Sequence, residues 1–234
     1  MDYDEIEKSE KMEQRKRKIQ EYIENKKYVP MKRKDICVLL EVPKGDRGDF
    51  EEIIAQLLEE GKIVETKKGK LMSPKTLGVE VGIFLAHSRG YGFIEREEGE
   101  DIFVPANKVN GAMHRDKVLY HINKKSSSIR KSEGEVVGIL KRENEKIVGT
   151  FQQAHGFGFV IPDDKKLTQD IFIPEKDSMG AVTGHKVVVE IRKYGDEERK
   201  PEGVILEILG HINDPGVDIL SIIKQYDLPV DFPE

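Results

Sequence analysis

The sequence has no tryptophan and a single cysteine, Cys37. One cysteine excludes an intrachain disulfide and any zinc site built on several thiolates, and it fits a reduced, cytoplasmic setting. Long hydrophobic runs are also missing. No stretch approaches the ~20 apolar residues of a membrane span, and the start, MDYDEIEKSEKMEQRKRK, has no apolar segment of a secretory signal. No membrane partner is expected. Hydrophobic residues make up only 37% of the 234 positions and charged residues 35%. So little apolar material argues for two or three small cores rather than one large one. The six histidines show no HExxH or H-x₃₋₅-H spacing, and no phosphate-binding loop is present, so no small-molecule cofactor is expected.

An excess of positive charge is lacking too. The formal net charge is −5, which at first argues against a nucleic-acid partner. Residues 211–234, however, hold one basic and five acidic side chains, and residues 135–210 hold 11 and 14. Residues 31–76 (10 and 9) and 77–134 (9 and 8) are each slightly basic. The acidity therefore lies toward the end of the chain, and the earlier segments remain compatible with phosphates.

Residues 1–14 are highly charged with little periodicity and are expected to be flexible. A helix is predicted from about Arg15, with Ile19, Tyr22 and Ile23 on one face. A second spans Lys32 to Leu40. A third runs from Asp49 to Glu60, burying Phe50, Ile53, Ile54, Leu57 and Leu58, with Gly61 as its C-cap. KIVE (62–65) and KLM (70–72) flank a TKKG turn and read as a hairpin. Three helices and a hairpin outline a winged helix-turn-helix domain over 15–76. The third helix and its lead-in carry Asp46, Asp49, Glu51, Glu52, Glu59 and Glu60 against Arg47. Phosphates would repel such a helix, so a structural or accessory role is expected of the domain, with a protein contact through it or a phosphate contact through the wing lysines Lys62, Lys67, Lys68 and Lys70 left open.

Beyond Pro74 the chain repeats itself. Gly90-Tyr91-Gly92-Phe93-Ile94 matches Gly156-Phe157-Gly158-Phe159-Val160, and Asp101-Ile102-Phe103-Val104-Pro105 matches Asp170-Ile171-Phe172-Ile173-Pro174. Each unit, 77–142 and 143–210, has five predicted strands, the number of a small OB-type barrel. The expected fold is thus α+β and multidomain, with 211–234 as a solvated acidic lead-out. Strand alternation puts Tyr91 with Phe93, and Phe157 with Phe159, on one face. Of 9 Phe and 7 Tyr, eight fall at matching repeat positions. Val81, Ile83, Ile94, Ile102, Val104 and Val118 are expected to fill the first barrel and leave the rings outside. The glycines beside the rings would keep the pleat flat enough for a base to lie on them. Exposed aromatic strands of this kind stack single-stranded bases with little sequence preference.

These motifs resemble the two RNA-binding signatures of cold-shock domains, with Phe84 and Phe151 in the place of the cold-shock tryptophan. Pro105 and Pro174 stand where that family usually has histidine, and His155 replaces the basic residue Arg89 of the first copy. The order of winged helix and two cold-shock barrels resembles the N-terminal half of the ribonuclease R family of 3′-to-5′ exoribonucleases. That resemblance implies a single-stranded RNA partner and an RNA-binding set of Phe84, Arg89, Tyr91, Phe93, Phe103, Lys108, Arg115, Lys117, Phe151, His155, Phe157, Phe159 and Phe172. It also implies Mg²⁺ in a catalytic domain outside these residues. Within them, the carboxylate pairs Asp214/Asp218 and Asp227/Asp231 are too sparse for a metal-dependent nuclease centre, and no catalytic or metal residue is expected. The alternatives are a free-standing cold-shock RNA chaperone and a winged-helix regulator.

Overall fold

The computed structural model describes residues 3–124, 132–195 and 199–228. Helix α1 (Tyr3–Glu24) starts well before Arg15, where the apolar periodicity begins, and covers part of the segment expected to be flexible. It is followed by β1 (Met31–Lys32), α2 (Arg33–Leu39), α3 (Arg47–Glu59), β2 (Val64–Glu65) and β3 (Lys70–Met72). The three strands form a small sheet with β3 at its centre. Ile19, Ile23, Ile36, Phe50, Ile53, Ile54, Leu57, Ile63 and Leu71 make one core between helices and sheet. The acidic residues around α3 are bound within this unit. Arg15 of α1 bridges Asp46 and Asp49 at 2.7 and 3.0 Å, Lys16 pairs with Glu60, and Arg33 pairs with Glu51.

A single turn, α4 (Pro74–Leu77), leads into the first barrel: β4 (Glu80–Ala86), β5 (Gly92–Glu95), β6 (Ile102–Val104), β7 (Lys117–Lys124) and β8 (Glu133–Lys141). The second repeats it with β9 (Lys146–Ala154), β10 (Phe157–Pro162), β11 (Ile171–Pro174), β12 (His185–Lys193) and β13 (Glu202–His211). Both sheets close, in the orders β4-β5-β6-β8-β7 and β10-β11-β13-β12-β9. Closure comes from short parallel pairings at Phe103–Glu133 and Phe172–Glu202.

Inside the first barrel, one strand faces opposite to expectation. On β4, Phe84 is 1% exposed and points into the core, whereas Val81 and Ile83 are only partly buried. A one-residue shift of parity moves every side chain of a strand to the other face. Gly92 enforces this parity: a Cβ there would lie 2.4 Å from the Phe84 ring. Gly158 does the same for Phe151, at 2.3 Å. These glycines make room for a core aromatic and do not flatten a surface. Tyr120 fills the rest of the core and donates its hydroxyl to Glu80 Oε2 at 2.8 Å, which pushes its pKa above the usual phenol range, burial being the main cause.

The residues expected to form a solvated lead-out instead include α5 (Val217–Gln225), which lies on the second barrel. Val217 is buried against Gly210, and Lys224 pairs with Glu207 at 2.8 Å. The other end of the chain is docked as well. Gly61, just past α3, abuts Val81 and Leu140 so closely that a Cβ would meet both within 2.9 Å, and Glu59 pairs with Lys141.

Candidate nucleic-acid interface

On β5 and β6 the inward residues are Gly92, Ile94, Ile102 and Val104, and the outward ones are Phe93 and Phe103. The hydrogen-bonded register sets Phe93 opposite Phe103. Tyr91 completes a triangle, with ring centroids 5.9 Å from Phe93 and 5.7 Å from Phe103, and 5.7 Å between the two phenylalanines. The second barrel repeats the figure. Phe159 faces Phe172 across the register, and Phe157, Phe159 and Phe172 lie 5.4, 5.6 and 5.9 Å apart. All six rings are partly exposed. Within each triad the rings pack edge-on or tilted, so none stacks face to face on another.

The turns feeding the triads differ. In the first barrel, His87-Ser88-Arg89-Gly90 joins β4 to Tyr91, with Gly90 at φ +88°. His87 stacks on Tyr91 at 4.4 Å and 9°, and its Nδ1 accepts the Arg89 N–H. The first platform therefore has a fourth ring. The second barrel makes the same reversal with only His155-Gly156, Gly156 at φ +77°, and has no such extension. Its addition is Lys200, whose ammonium lies 4.7 Å over the Phe159 ring, a cation–π contact. Lys200 comes from a loop distant in sequence, and no local pattern announces it. His87 was visible as a histidine beside an aromatic strand, but not as a stacked ring.

The residues expected to bind RNA do not all converge. Phe84 and Phe151, each 1% exposed, are core residues and form no stacking platform, although Phe84 also borders the cleft between the barrels. Lys117 belongs to β7, opposite Lys141 and close enough to Glu59 to act on it electrostatically, so it faces the helical unit and not the triad. Arg115 is exposed beside Glu143 at the joint between the barrels. Lys108 is partly neutralised by Glu133 at 3.2 Å, next to the Phe103 register. Arg89 and His155 sit exposed at the tips of the two turns that carry Tyr91 and Phe157. The structure thus groups Arg89, Tyr91, Phe93 and Phe103 with Lys108 at their edge, and His155, Phe157, Phe159 and Phe172.

A polar joint fixes the two platforms relative to each other. Asp116, fully buried, accepts the Met113 N–H at 2.8 Å, the Glu143 N–H at 3.1 Å and the Arg142 guanidinium at 2.7 Å. Arg142 also stacks over Tyr194 at 4.0 Å, and Tyr194 donates to Asn144 O at 3.1 Å. Met113 packs on the core of the second barrel. His114 accepts the Ala86 N–H at Nδ1, while its Nε2 faces the Lys166 ammonium at 3.1 Å. Burial, then the nearby Lys166, holds the His114 pKa below the usual histidine value.

Among the described residues no group of three or more His, Cys, Asp or Glu is placed to hold a metal ion. Asp214 accepts the His211 N–H at 2.7 Å and serves as a turn cap, and Asp231 lies outside the described residues. The Mg²⁺ that the resemblance implies therefore finds no fitting donor set among them, and no hydrolytic step is assigned to them. No described helix is long and apolar enough to cross a membrane.

Two family models match the chain, a Ribonuclease B OB domain over residues 82–139 and a cold shock domain over 159–233. The second match extends past β13 and across α5. The ribonuclease R of Thermotoga maritima is 31% identical over 226 residues, which cover 94% of this chain and 31% of that protein. This chain is homologous to ribonuclease R. It spans less than a third of that relative. The fold is also shared with solved structures. The Mycoplasma genitalium enzyme, in complex with ribose methylated single-stranded RNA, aligns with a TM-score of 0.58 at 18% identity, over 66% of this chain and 25% of that one. Yeast Ssd1, described as a pseudonuclease, aligns with a TM-score of 0.55 at 18% identity, over 64% and 25%. At these identities the likeness concerns the fold alone.

Proposed function

We propose that this chain is the RNA-binding region of a ribonuclease R-type 3′-to-5′ exoribonuclease, holding single-stranded RNA on its two aromatic platforms and guiding it toward a catalytic centre outside these residues. The observation that carries the reading is the pair of outward triads, Tyr91/Phe93/Phe103 and Phe157/Phe159/Phe172, at repeat-related positions. Rings that do not stack face to face on one another can offer faces to successive bases, and stacking needs no particular base. Arg89 stands beside the first triad to meet the backbone charge, while Lys200, beside the second, is already paired with Asp170 at 3.2 Å. On this reading the Mg²⁺ chemistry of hydrolysis belongs to that other part of the protein, and the setting is the cytoplasm. The helical unit would act as a winged-helix module with a protein-contact role, because its third helix is acidic and its C-terminal end is docked on β8. Neither the free-standing chaperone nor the winged-helix regulator has an observation of its own in support.

Phe93→Ala combined with Phe103→Ala is expected to weaken oligo(U) binding by ~2 kcal/mol or more, about thirtyfold, in a fluorescence titration at fixed salt. Unchanged affinity with an intact fold sinks the platform assignment.

A further inference from the structure

Between the two barrels runs a cleft of about 390 Å³, within the range of about 300–1,000 Å³ typical of small-molecule sites. One lip is the turn carrying His87 and Gly90, so the cleft opens directly beside the ring stacked on Tyr91. The opposite lip includes Pro201, whose carbonyl accepts the Phe172 N–H at 2.8 Å, so this side adjoins the second triad. The walls of the cleft differ in kind from the platforms. Asn107 comes from the first barrel and Gln169 from the second, and both are exposed side chains with no hydrogen bond among the described residues. Each amide offers both a donor and an acceptor, the set that reads the Watson–Crick edge of an unstacked base. Lys166 also lines the cleft and forms no ion pair among the described residues. Its ammonium faces His114 rather than a carboxylate. The Asp116 joint holds the walls in place before any ligand arrives, which lowers the ordering cost of binding.

We propose that the inter-barrel cleft is a subsite for one nucleotide of the strand, its base edge read by Asn107 and Gln169 and its phosphate held by Lys166. The subsite gives a binder otherwise dominated by stacking a base preference at one position. The proposal rests on the platform reading above.

The test uses the full chain and three labelled single-stranded RNA homopolymers of equal length, oligo(U), oligo(A) and oligo(C), titrated at one salt concentration. Wild type is expected to separate the best from the worst by at least about fivefold, the lower end of what one good base-edge contact supplies. Asn107→Leu with Gln169→Leu should bring the three within about twofold of each other. Lys166→Ala should weaken all three by a similar factor and reduce the salt slope by about 1. Equal binding of the homopolymers by wild type overturns the proposal, and so does a preference that survives the double substitution. The ring variant Phe93→Ala/Phe103→Ala separates the two levels. If it binds as well as wild type, the platform reading itself fails. Ring-dependent binding without base discrimination removes the cleft subsite alone.

Discussion

Phe84 and Phe93 sit in the same barrel, nine positions apart, and truncating them is expected to have opposite consequences. Phe84 is 1% exposed, and its ring edge occupies the space a Cβ on Gly92 would need. Phe84→Ala removes the largest apolar side chain of a core otherwise made of Ile94, Ile102, Val104, Val118, Tyr120 and Val136. A fully buried Phe truncated to Ala costs about 3–5 kcal/mol, transfer and cavity together. So small a barrel has few neighbours able to collapse into the gap. Phe93 is partly exposed, and its loss leaves no enclosed void, so Phe93→Ala should cost under about 1 kcal/mol of stability while weakening RNA binding. The chain has three cores, and a single unfolding transition is not a safe readout. Hydrogen exchange of the β4 and β5 amides in the full chain reports this barrel alone. Phe84→Ala should speed their exchange by two orders of magnitude or more, since about 1.4 kcal/mol is tenfold, with RNA affinity falling only as the barrel opens. Native-like protection in Phe84→Ala, accompanied by a loss of RNA affinity, would show that the ring is a surface platform and that the strand parity described above is wrong.

The joint offers a second perturbation. Asp116→Ala strips a buried carboxylate from Arg142 and two backbone N–H groups and should cost about 3–5 kcal/mol, read as lost exchange protection at Met113 and Glu143. The depressed pKa of His114 carries a pH dependence with a definite sign. The neutral ring is favoured in the fold, so stability is full above the unfolded value of about 6.5 and falls as pH drops below it. His114→Gln should flatten the pH dependence of the Ala86 amide's protection factor between about pH 7.5 and 5.5 relative to wild type, and an unaltered profile would remove His114 as the cause. RNA binding should also depend weakly on salt. Arg89 and Lys166 are the exposed cations beside the rings and cleft with no carboxylate partner among the described residues, and at about −0.7 per phosphate on a single strand they imply a log–log slope of about −1.4. A titration slope beyond about −4 would mean that electrostatics and not stacking dominates.

The repeat was legible because both copies keep the same Gly-aromatic-Gly-aromatic and Asp-Ile-Phe strings, and their period-2 alternation gave the outward rings of β5, β6, β10 and β11 directly. The parity of β4 and β9 was not legible. Val81-Gly82-Ile83-Phe84-Leu85 has apolar residues on both faces, because the outer face of β4 is itself covered where Val81 meets Gly61. A strand buried on both sides loses the alternation that fixes its register. The rule that worked for Phe93 therefore had nothing to act on at Phe84. The signal lay in Gly82 and Gly92, whose missing side chains make room for Ile94 and Phe84. The joint was hidden for another reason. Asp116, Arg142 and Tyr194 are remote in sequence, and only closure of both barrels brings them together. Helix α5 was obscured by charge. The acidic residues around Val217 and Ser221 masked the two small positions that face the barrel.

The charge distribution becomes coherent once these contacts are known. Much of the acidity near α3 is neutralised inside the helical unit by Arg15, Lys16 and Arg33, and Asp116 is neutralised inside the joint. Those carboxylates do not oppose an approaching phosphate in proportion to their number. The basic residues are engaged in the same way: Lys108, Lys141, Arg142, Lys186 and Lys200 all hold carboxylates at 3.2 Å or less. What remains free for RNA is a small set of cations beside a large set of rings. That balance favours affinity through stacking, at ~1–3 kcal/mol per base, over counterion release. A strand held this way can slide from ring to ring without exchanging specific contacts. Under the proposed function, a region that guides RNA toward a catalytic centre requires that property. One base-reading cleft between two such platforms would then act as a local pause in an otherwise uniform track.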